Sequence, residues 1–306
     1  MYRQITRCAN RRPGLGLYLL LGLSAGLMTA RADPVVDVIT SSLQIGEMDL
    51  ATGAFTPSGS IPPTIQYLAP GSGGSLLTMD FSGSLDRINP STGARTAIGP
   101  TGFSDCTTPA SPCGSHSQLS FGSAEGTLYA TDFANNLYTV NPTTGKATLV
   151  GPTGLPAVPF IPASTNPDGS FNFYDENLFG LGGKLYVNYD AGIFNPATST
   201  LTTVISAALY ELDPTTGHAT TVGATDFGMV TVANINGTIY GFQGPPIDTI
   251  LALNVANGNT TTVGDIDPLL GLIGGAAPAA VPEPGSIALA MIGLISVCAW
   301  RRKSAG

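Results

Sequence analysis

The chain is poor in the residue types from which catalytic and metal centres are usually built. Its 306 residues include two histidines, His116 and His218, and four cysteines, and charged residues make up 10% of the total. No H-E-x-x-H or Walker A motif occurs, and the single G-x-S-x-G match, Gly22 to Gly26, lies in an N-terminal apolar run and not in the body of the chain. The sequence therefore disfavours the common serine hydrolases, zinc proteases and P-loop nucleotide hydrolases. A Ser-His-Asp triad assembled from separate loops stays open as an alternative.

Basic residues are scarce in the body of the chain. Between Asp33 and Ala280, nineteen acidic residues accompany four basic ones, which are Arg87, Arg95, Lys146 and Lys184. Such an acidic body repels nucleic acid and anionic membrane surfaces, so no nucleic-acid partner is expected. The excess of acid is typical of a solvated acidic surface, and it can also attract divalent cations.

The remaining basic residues lie at the two ends. At the N-terminus, four arginines precede an apolar run at 15–28, and Ala30-Arg31-Ala32 follows it as a small-residue cleavage pattern. This order is typical of a secretory signal peptide over residues 1–32, whose cleavage leaves Asp33 as the new N-terminus. An N-terminal anchor helix is the alternative.

Export also accounts for the cysteines. Within the body only Cys106 and Cys113 occur, in the Ser-, Thr- and Pro-rich stretch SDCTTPASPCGS. In an oxidising compartment, a disulfide that closes this short loop is the expected outcome. A metal site is disfavoured because only His116 lies nearby and no second cysteine pair exists.

The body repeats one pattern five times. The copies are LDRINPSTGARTAIGPTG (85–102), LYTVNPTTGKATLVGPTG (137–154), LYELDPTTGHATTVG (209–223), LALNVANGNTTTVG (251–264) and, more weakly, IGEMDLATGAFTPSG (45–59). In each copy Asn or Asp opens a turn, Pro often follows, and Gly supplies a positive φ where the chain reverses. The flanks alternate apolar and polar residues, as half-buried strands do. The pattern therefore predicts a β-hairpin and not a ligand motif.

Other strands precede each hairpin. The stretches GSLLTMD, GTLYATD, GKLYVNYD and GTIYGFQ predict inner strands, and a further apolar stretch lies before each of them. Four short strands in each repeat predict an all-β, five-bladed β-propeller over residues 33–280. A β-sandwich is the alternative, although it does not explain the repeat. The repeat resembles secreted bacterial propeller-like families with recurring LYxxNPxTG hairpins, a resemblance that implies fold and not activity.

Two segments decide the number of blades. The first unit lacks one strand, and residues 269–278 are expected to supply it, which closes the ring by joining both ends of the body in one blade. The insertion at 190–207 predicts an extra hairpin in the fourth unit, or else part of a sixth blade.

Three acidic residues are the candidate metal ligands. Asp80, Asp132 and Asp190 lie at or near the ends of second strands, where the fifth unit has Gln243. If these ends meet at one face, the carboxylates would bind Ca²⁺, as in lactonase-like propeller hydrolases. The alternative is that each Asp caps its own strand-ending turn. No other cofactor is expected.

The last residues read VPEPGSIALAMIGLISVCAWRRKSAG. The apolar run 285–300 predicts a short transmembrane helix of about 24 Å, and Arg301 and Arg302 after it favour a body outside the cytoplasm. The order Val281-Pro282-Glu283-Pro284, apolar helix, Arg301-Arg302 resembles the PEP-CTERM sorting signal over residues 281–306.

That resemblance implies how the protein is exported and sorted. It implies a Gram-negative bacterium in which an exosortase processes the tail of an inner-membrane intermediate whose body lies in the periplasm. Carriers of this signal are typically cell-surface or extracellular proteins linked to exopolysaccharide and biofilm matrix. We therefore expect a non-enzymatic module that binds exopolysaccharide or a surface protein. The alternatives are a calcium-dependent hydrolase and a structural matrix component.

Overall fold

A computed structural model describes the body of the chain. The described residues are 34–278 without 63–64, 66, 81, 105–117, 158–165, 199, 227 and 245–246. The predicted signal peptide with its Ala30–Asp33 cleavage site, the Cys106–Cys113 disulfide and the C-terminal tail all lie outside these residues. Within them, no helix is long and apolar enough to cross a membrane, and the regular structure consists of β-strands and one 3-10 turn at Ser72–Gly74.

The described strands form five antiparallel sheets of four, which we call blades 1 to 5. Blade 1 contains β1 (Val35–Thr40), β2 (Gln44–Asp49), β3 (Phe55–Ser60) and a fourth strand from the other end of the body. Blade 2 contains β4 (Ala69–Pro70), β5 (Leu76–Met79), β6 (Ser84–Ile88) and β7 (Arg95–Pro100). Blade 3 contains β8 (Gln118–Ala124), β9 (Thr127–Asp132), β10 (Asn136–Val140) and β11 (Ala147–Pro152).

The later blades follow the same order. Blade 4 contains β12 (Phe171–Leu181), β13 (Lys184–Asn195), β14 (Thr200–Leu212) and β15 (Ala219–Ala224). Blade 5 contains β16 (Met229–Ile235), β17 (Thr238–Gln243), β18 (Thr249–Leu253) and β19 (Thr260–Asp265). The final strand, β20 (Leu272–Pro278), joins blade 1 beside β1.

The ring closes through both ends of the body. The strands nearest the centre are β4, β8, β12, β16 and β20. Each contacts the next one in this order, and β20 contacts β4, so the contacts form a closed ring. The register of β20 on β1 pairs Pro278 with Val36 and Leu272 with Thr40. The predicted closure by residues 269–278 is therefore confirmed. The predicted inner strands, such as β9 in GTLYATD, lie second from the centre, and each is adjacent to an innermost strand.

The insertion in the fourth unit extends an existing hairpin. Residues 191–195 of β13 pair with residues 200–205 of β14. Blade 4 therefore has longer strands than its neighbours but the same number of strands. The hairpin prediction is confirmed in this form, and the alternative of a sixth blade is wrong. β12 is correspondingly long, with eleven residues.

The hydrophobic core lies between the blades. Five buried clusters occupy the five successive interfaces, and each draws its side chains from two adjacent blades. The cluster between blades 5 and 1 includes Leu272 of β20 together with Val36 and Phe242. Alternate residues of a strand point to opposite faces, so each blade contributes to two clusters. Closing the ring therefore buries one additional interface.

The repeated turns have the predicted chemistry. In each repeat the side-chain oxygen of the opening Asn or Asp accepts a backbone N–H two residues on, at 2.8–2.9 Å. The turn glycine has φ between +69° and +86°, a region that glycine adopts without strain. The glycines concerned are Gly53, Gly93, Gly145, Gly217 and Gly258. The turn interpretation of the repeat is confirmed.

A second set of repeated glycines lets adjacent blades approach closely. Each occupies the outer strand of a blade and faces the turn of the next blade, at positions 59, 99, 151, 223 and 264. A Cβ atom on Gly223 would lie 2.0 Å from the carbonyl oxygen of Asn257, whereas one on Gly264 would lie 3.2 Å from that of Leu50. The contact is therefore tight at four interfaces and looser at the fifth.

Candidate functional site

The three candidate metal ligands occupy equivalent places in neighbouring blades. Asp80 follows β5, Asp132 ends β9, and Asp190 lies within β13. All three are buried. The corresponding residues in the other blades are Thr40 at the end of β1 and Gln243 at the end of β17. This position lies at the end of each blade where the second strand leads to the third.

The partners of Asp80 all belong to its own blade. One of its carboxylate oxygens accepts the backbone N–H of Ser82 and of Ser84, at 3.1 and 3.0 Å. The other oxygen pairs with the guanidinium group of Arg95, which also lies 2.7 Å from Asp86. Asp80 therefore caps the turn between strands and has a cationic partner already.

Asp132 has the same capping role. It accepts the backbone N–H of Ala134 at 3.0 Å and of Asn136 at 2.9 Å. The hydroxyl of Tyr138 donates to it at 2.8 Å, and the pKa of Tyr138 is raised to about 12, by burial and then by this bond. These bonds match the turn-capping alternative for this Asp.

Asp190 differs from the other two because its hairpin is longer. β13 continues for five residues beyond it, so Asp190 has no turn to cap. Its Oδ2 atom accepts the backbone N–H of Gly228 at 2.9 Å, while Oδ1 is buried and has no hydrogen-bond partner among the described residues. Burial raises the pKa of Asp190 to about 7, and the Gly228 bond lowers it in part.

A second carboxylate lies directly across the ladder from Asp190. Asp175 of β12 pairs with it in register, and residues opposite each other in an antiparallel pair have Cβ atoms about 5 Å apart. Burial first, and then the charge of Asp190, raises the pKa of Asp175 well above its ordinary value. Two carboxylates in one desolvated place cannot both carry a charge without a compensating group.

Glu176 extends the acidic group on the opposite face of β12. Its buried carboxylate accepts the hydroxyl of Thr131, and that of Tyr174 at 2.8 Å. Burial raises the pKa of Glu176 to about 7 in spite of these bonds. Tyr67 lies close enough to Asp175 and Glu176 that their charges, after burial, raise the pKa of its phenol.

Asp175 and Glu176 were not among the site residues predicted from the sequence. Their signal is a pair of consecutive acids directly before the apolar stretch that begins at residue 177, in NFYDENLFG, and buried strands normally hold apolar residues. Within the described residues, no three side chains of His, Cys, Asp or Glu lie together so as to hold a metal ion. Asp80 and Asp132 thus each cap a turn of their own blade, whereas Asp190 lies opposite Asp175 on the neighbouring strand.

A cavity of about 370 Å³ lies between the innermost strands, at the end of the blades opposite Asp80, Asp132 and Asp190. There the innermost strands turn back into the second strands, past the last residues of β12. The lining combines backbone groups, polar side chains and apolar side chains. Its members include Ser123, Glu125, Phe179, Leu181, Asn234 and Asn236.

Two of the polar groups lining the cavity are fixed by bonds between blades. Glu125 accepts the backbone N–H of Gly183 at 3.0 Å. Asn234 donates its amide to the carbonyl oxygen of Gly180 at 2.6 Å. Asn236, in contrast, is exposed and lies in a turn with φ of +51°. Among the described residues, the cavity therefore has polar groups fixed by hydrogen bonds between blades, and the exposed amide of Asn236 lies at its rim.

Comparison with protein-family models identifies the tail. Residues 280–303 match the PEP-CTERM protein-sorting motif, and this match contains the motif residues Val281 to Pro284, Arg301 and Arg302. The motif implies export, a membrane-anchored sorting intermediate and processing by an exosortase. A search of the curated proteins found no match.

The solved structures that resemble this chain share little sequence with it. The PQQ-bound aldose sugar dehydrogenase of Streptomyces coelicolor is 13% identical with a TM-score of 0.40, over 80% of this chain and 89% of that one. BamB of Moraxella catarrhalis is 10% identical with a TM-score of 0.32, over 75% and 69%. The glutaminyl cyclase of Myxococcus xanthus is 14% identical with a TM-score of 0.33, over 67% and 70%. None of these activities transfers to this chain on that basis.

Proposed function

We propose that this exported protein is a non-enzymatic module of the cell surface or extracellular matrix that binds exopolysaccharide. In this proposal the tail directs a Gram-negative host to hold the body in the periplasm and then to release it or display it. The observation that carries the proposal is the occurrence, in one chain, of the PEP-CTERM motif and a closed five-bladed body. The cavity between the innermost strands supplies a place for the ligand.

The chemistry of the cavity supports a saccharide. Its volume of about 370 Å³ lies within the range of small-molecule sites. A sugar presents hydroxyls that donate and accept hydrogen bonds, together with apolar C–H faces. The amide of Asn236 and the hydroxyl of Ser123 provide the polar contacts, and the side chain of Leu181 provides the apolar one.

The test is binding of the full chain to exopolysaccharide purified from the producing host and to a glycan array. We expect Asn236→Gly to weaken binding about tenfold, because a lost hydrogen bond costs about 1–1.5 kcal/mol. Glycine tolerates the positive φ at this position, so the turn should persist. Binding is measured by biolayer interferometry.

The matched control is Asn257→Gly, an exposed turn residue on the outer side of blade 5, which should bind like the unchanged protein. Absence of any glycan binding by the unchanged chain, with loss of matrix cohesion on gene deletion, would favour the structural matrix component instead. Hydrolysis of lactones or phosphoesters that disappears in Asp190→Asn would favour the hydrolase alternative.

The sorting route has its own prediction. Replacement of Pro282, Glu283 and Pro284 by alanine is expected to block processing of the tail, because the motif that the exosortase recognises is removed. The mass of the mature protein, measured by mass spectrometry in an exosortase-positive host, should then increase by the retained tail. Replacement of Ser304 and Ala305, beyond the basic residues, serves as the control. An identical mature mass in the alanine variant would contradict the assignment of these residues.

A further inference from the structure

Four amide or carboxylate side chains share one face of blade 4. Asp175 pairs in register with Asp190, and Asn177 pairs with Asn188. Because residues two apart on a strand point to the same side, all four face the same interface. Blade 5 forms the other wall, since Asn177 donates to the carbonyl oxygen of Met229 at 2.6 Å and Gly228 donates to Asp190. This interface therefore contains a group of polar side chains beside its apolar cluster.

Two buried polar atoms in this interface have no hydrogen-bond partner among the described residues. Asp190 Oδ1 and Asn188 Nδ2 are inaccessible to solvent, and neither has a hydrogen-bond partner in the part of the chain that the structure describes. A buried polar atom without a partner is destabilising. Both atoms belong to one face of β13, which indicates that one bound species satisfies both residues.

The amide of Asn188 has a second orientation that makes it a ligand. In the first orientation, Oδ1 of Asn188 accepts the hydroxyl of Thr225 at 2.7 Å. A hydroxyl also accepts hydrogen bonds, so a 180° rotation of the amide lets Nδ2 donate to Thr225 instead. The rotation leaves Oδ1 where the unpartnered nitrogen now lies. That oxygen then faces the same side of the strand as Asp190 Oδ1.

We propose that Asp175, Asp190 and Asn188 form a Ca²⁺ site between blades 4 and 5. Calcium takes six to eight oxygen ligands in irregular arrangements, whereas Mg²⁺ requires a near-octahedral set. The two carboxylates supply the charge, the rotated amide supplies a third oxygen, and water completes the shell. Since the set holds no thiol or imidazole, zinc and copper are disfavoured.

The partial exposure of Asp175 provides a route for the ion. Asp175 is only partly buried, whereas Asp190 and Asn188 are completely enclosed. In this proposal an ion and its waters would enter past Asp175, which belongs to the innermost strand β12. The site differs from the one that the spacing of Asp80, Asp132 and Asp190 suggested, and it keeps only Asp190. It is also independent of the saccharide cavity.

The test is titration of CaCl2 into the full-length protein after removal of metals with EDTA. Isothermal calorimetry should show one site with a dissociation constant on the order of 10⁻⁴ to 10⁻³ M, typical of sites with few charged ligands. In 5 mM CaCl2 the melting temperature should rise by about 3 °C. Equal MgCl2 should raise it less.

Variants separate this site from calcium bound elsewhere. Asp190→Asn and Asp175→Asn should each weaken binding at least tenfold, while Asn188→Asp should strengthen it by adding a charge. Asp37→Asn, the same substitution at a buried acid of blade 1, should leave binding unchanged. Absence of calcium binding by the unchanged protein, or binding retained in both Asp190→Asn and Asp175→Asn, would overturn the proposal. Because loss of a buried charge favours folding, the two Asn variants should remain folded in EDTA.

Discussion

A chain that ends at Leu270 is expected to lose its folded state, whereas one that ends at Pro278 is expected to keep it. The shorter chain lacks β20, the innermost strand of blade 1. Its removal leaves β1 with an unpaired edge and takes Leu272 out of the core between blades 5 and 1. It also breaks the ring of innermost strands at the contacts of β20 with β16 and with β4.

The effect should exceed the stability of the domain. Natural domains are stable by about 5–15 kcal/mol, and the deletion removes a complete strand ladder together with its share of one interface. We expect the shorter chain to show no cooperative melting transition by circular dichroism and to be degraded rapidly by protease. Both chains begin at Asp33, so they differ only in residues 271–278. Similar melting temperatures for the two would refute closure by β20 as the basis of the fold.

The closure was predictable because the repeat leaves a deficit that only one segment can fill. Four complete units require four strands each, and the first unit supplies three. An unpaired inner edge would leave backbone groups without partners, so the chain must return from its other end. The turns were predictable for a similar reason, since Asn or Asp, Pro and Gly each act within a few residues of their own backbone.

The acidic residues were harder to interpret because their roles depend on hairpin length. Asp80 and Asp132 come where a strand ends, and each accepts backbone N–H groups of its own turn. The insertion after Asp190 moves its turn away, and the same Asp is left facing Asp175. Spacing along the sequence does not reveal that facing pair, because it depends on the register of two long strands.

The second large effect is expected for Gly223→Ala, which should destabilise the protein by about 3 kcal/mol, as overpacking in a tight interface does. The added methyl carbon would lie 2.0 Å from the carbonyl oxygen of Asn257, a backbone atom that cannot move away by a side-chain rotation. The turn of blade 5 would have to separate from the outer strand of blade 4. Urea unfolding, followed by circular dichroism, measures the change in the free energy of unfolding.

Gly264→Ala is the matched control, because it changes the equivalent residue at the interface that closes the ring. There the nearest atom to the new carbon is the carbonyl oxygen of Leu50, at 3.2 Å. A shift of a few tenths of an ångström relieves that contact, and the smaller conformational entropy of the unfolded chain offsets about 0.4–1 kcal/mol. We therefore expect little net change in stability at this position. Equal losses in the two variants would show that the glycines serve backbone conformation alone. A loss confined to Gly223→Ala would show that the glycine of the outer strand leaves room for the turn of the next blade.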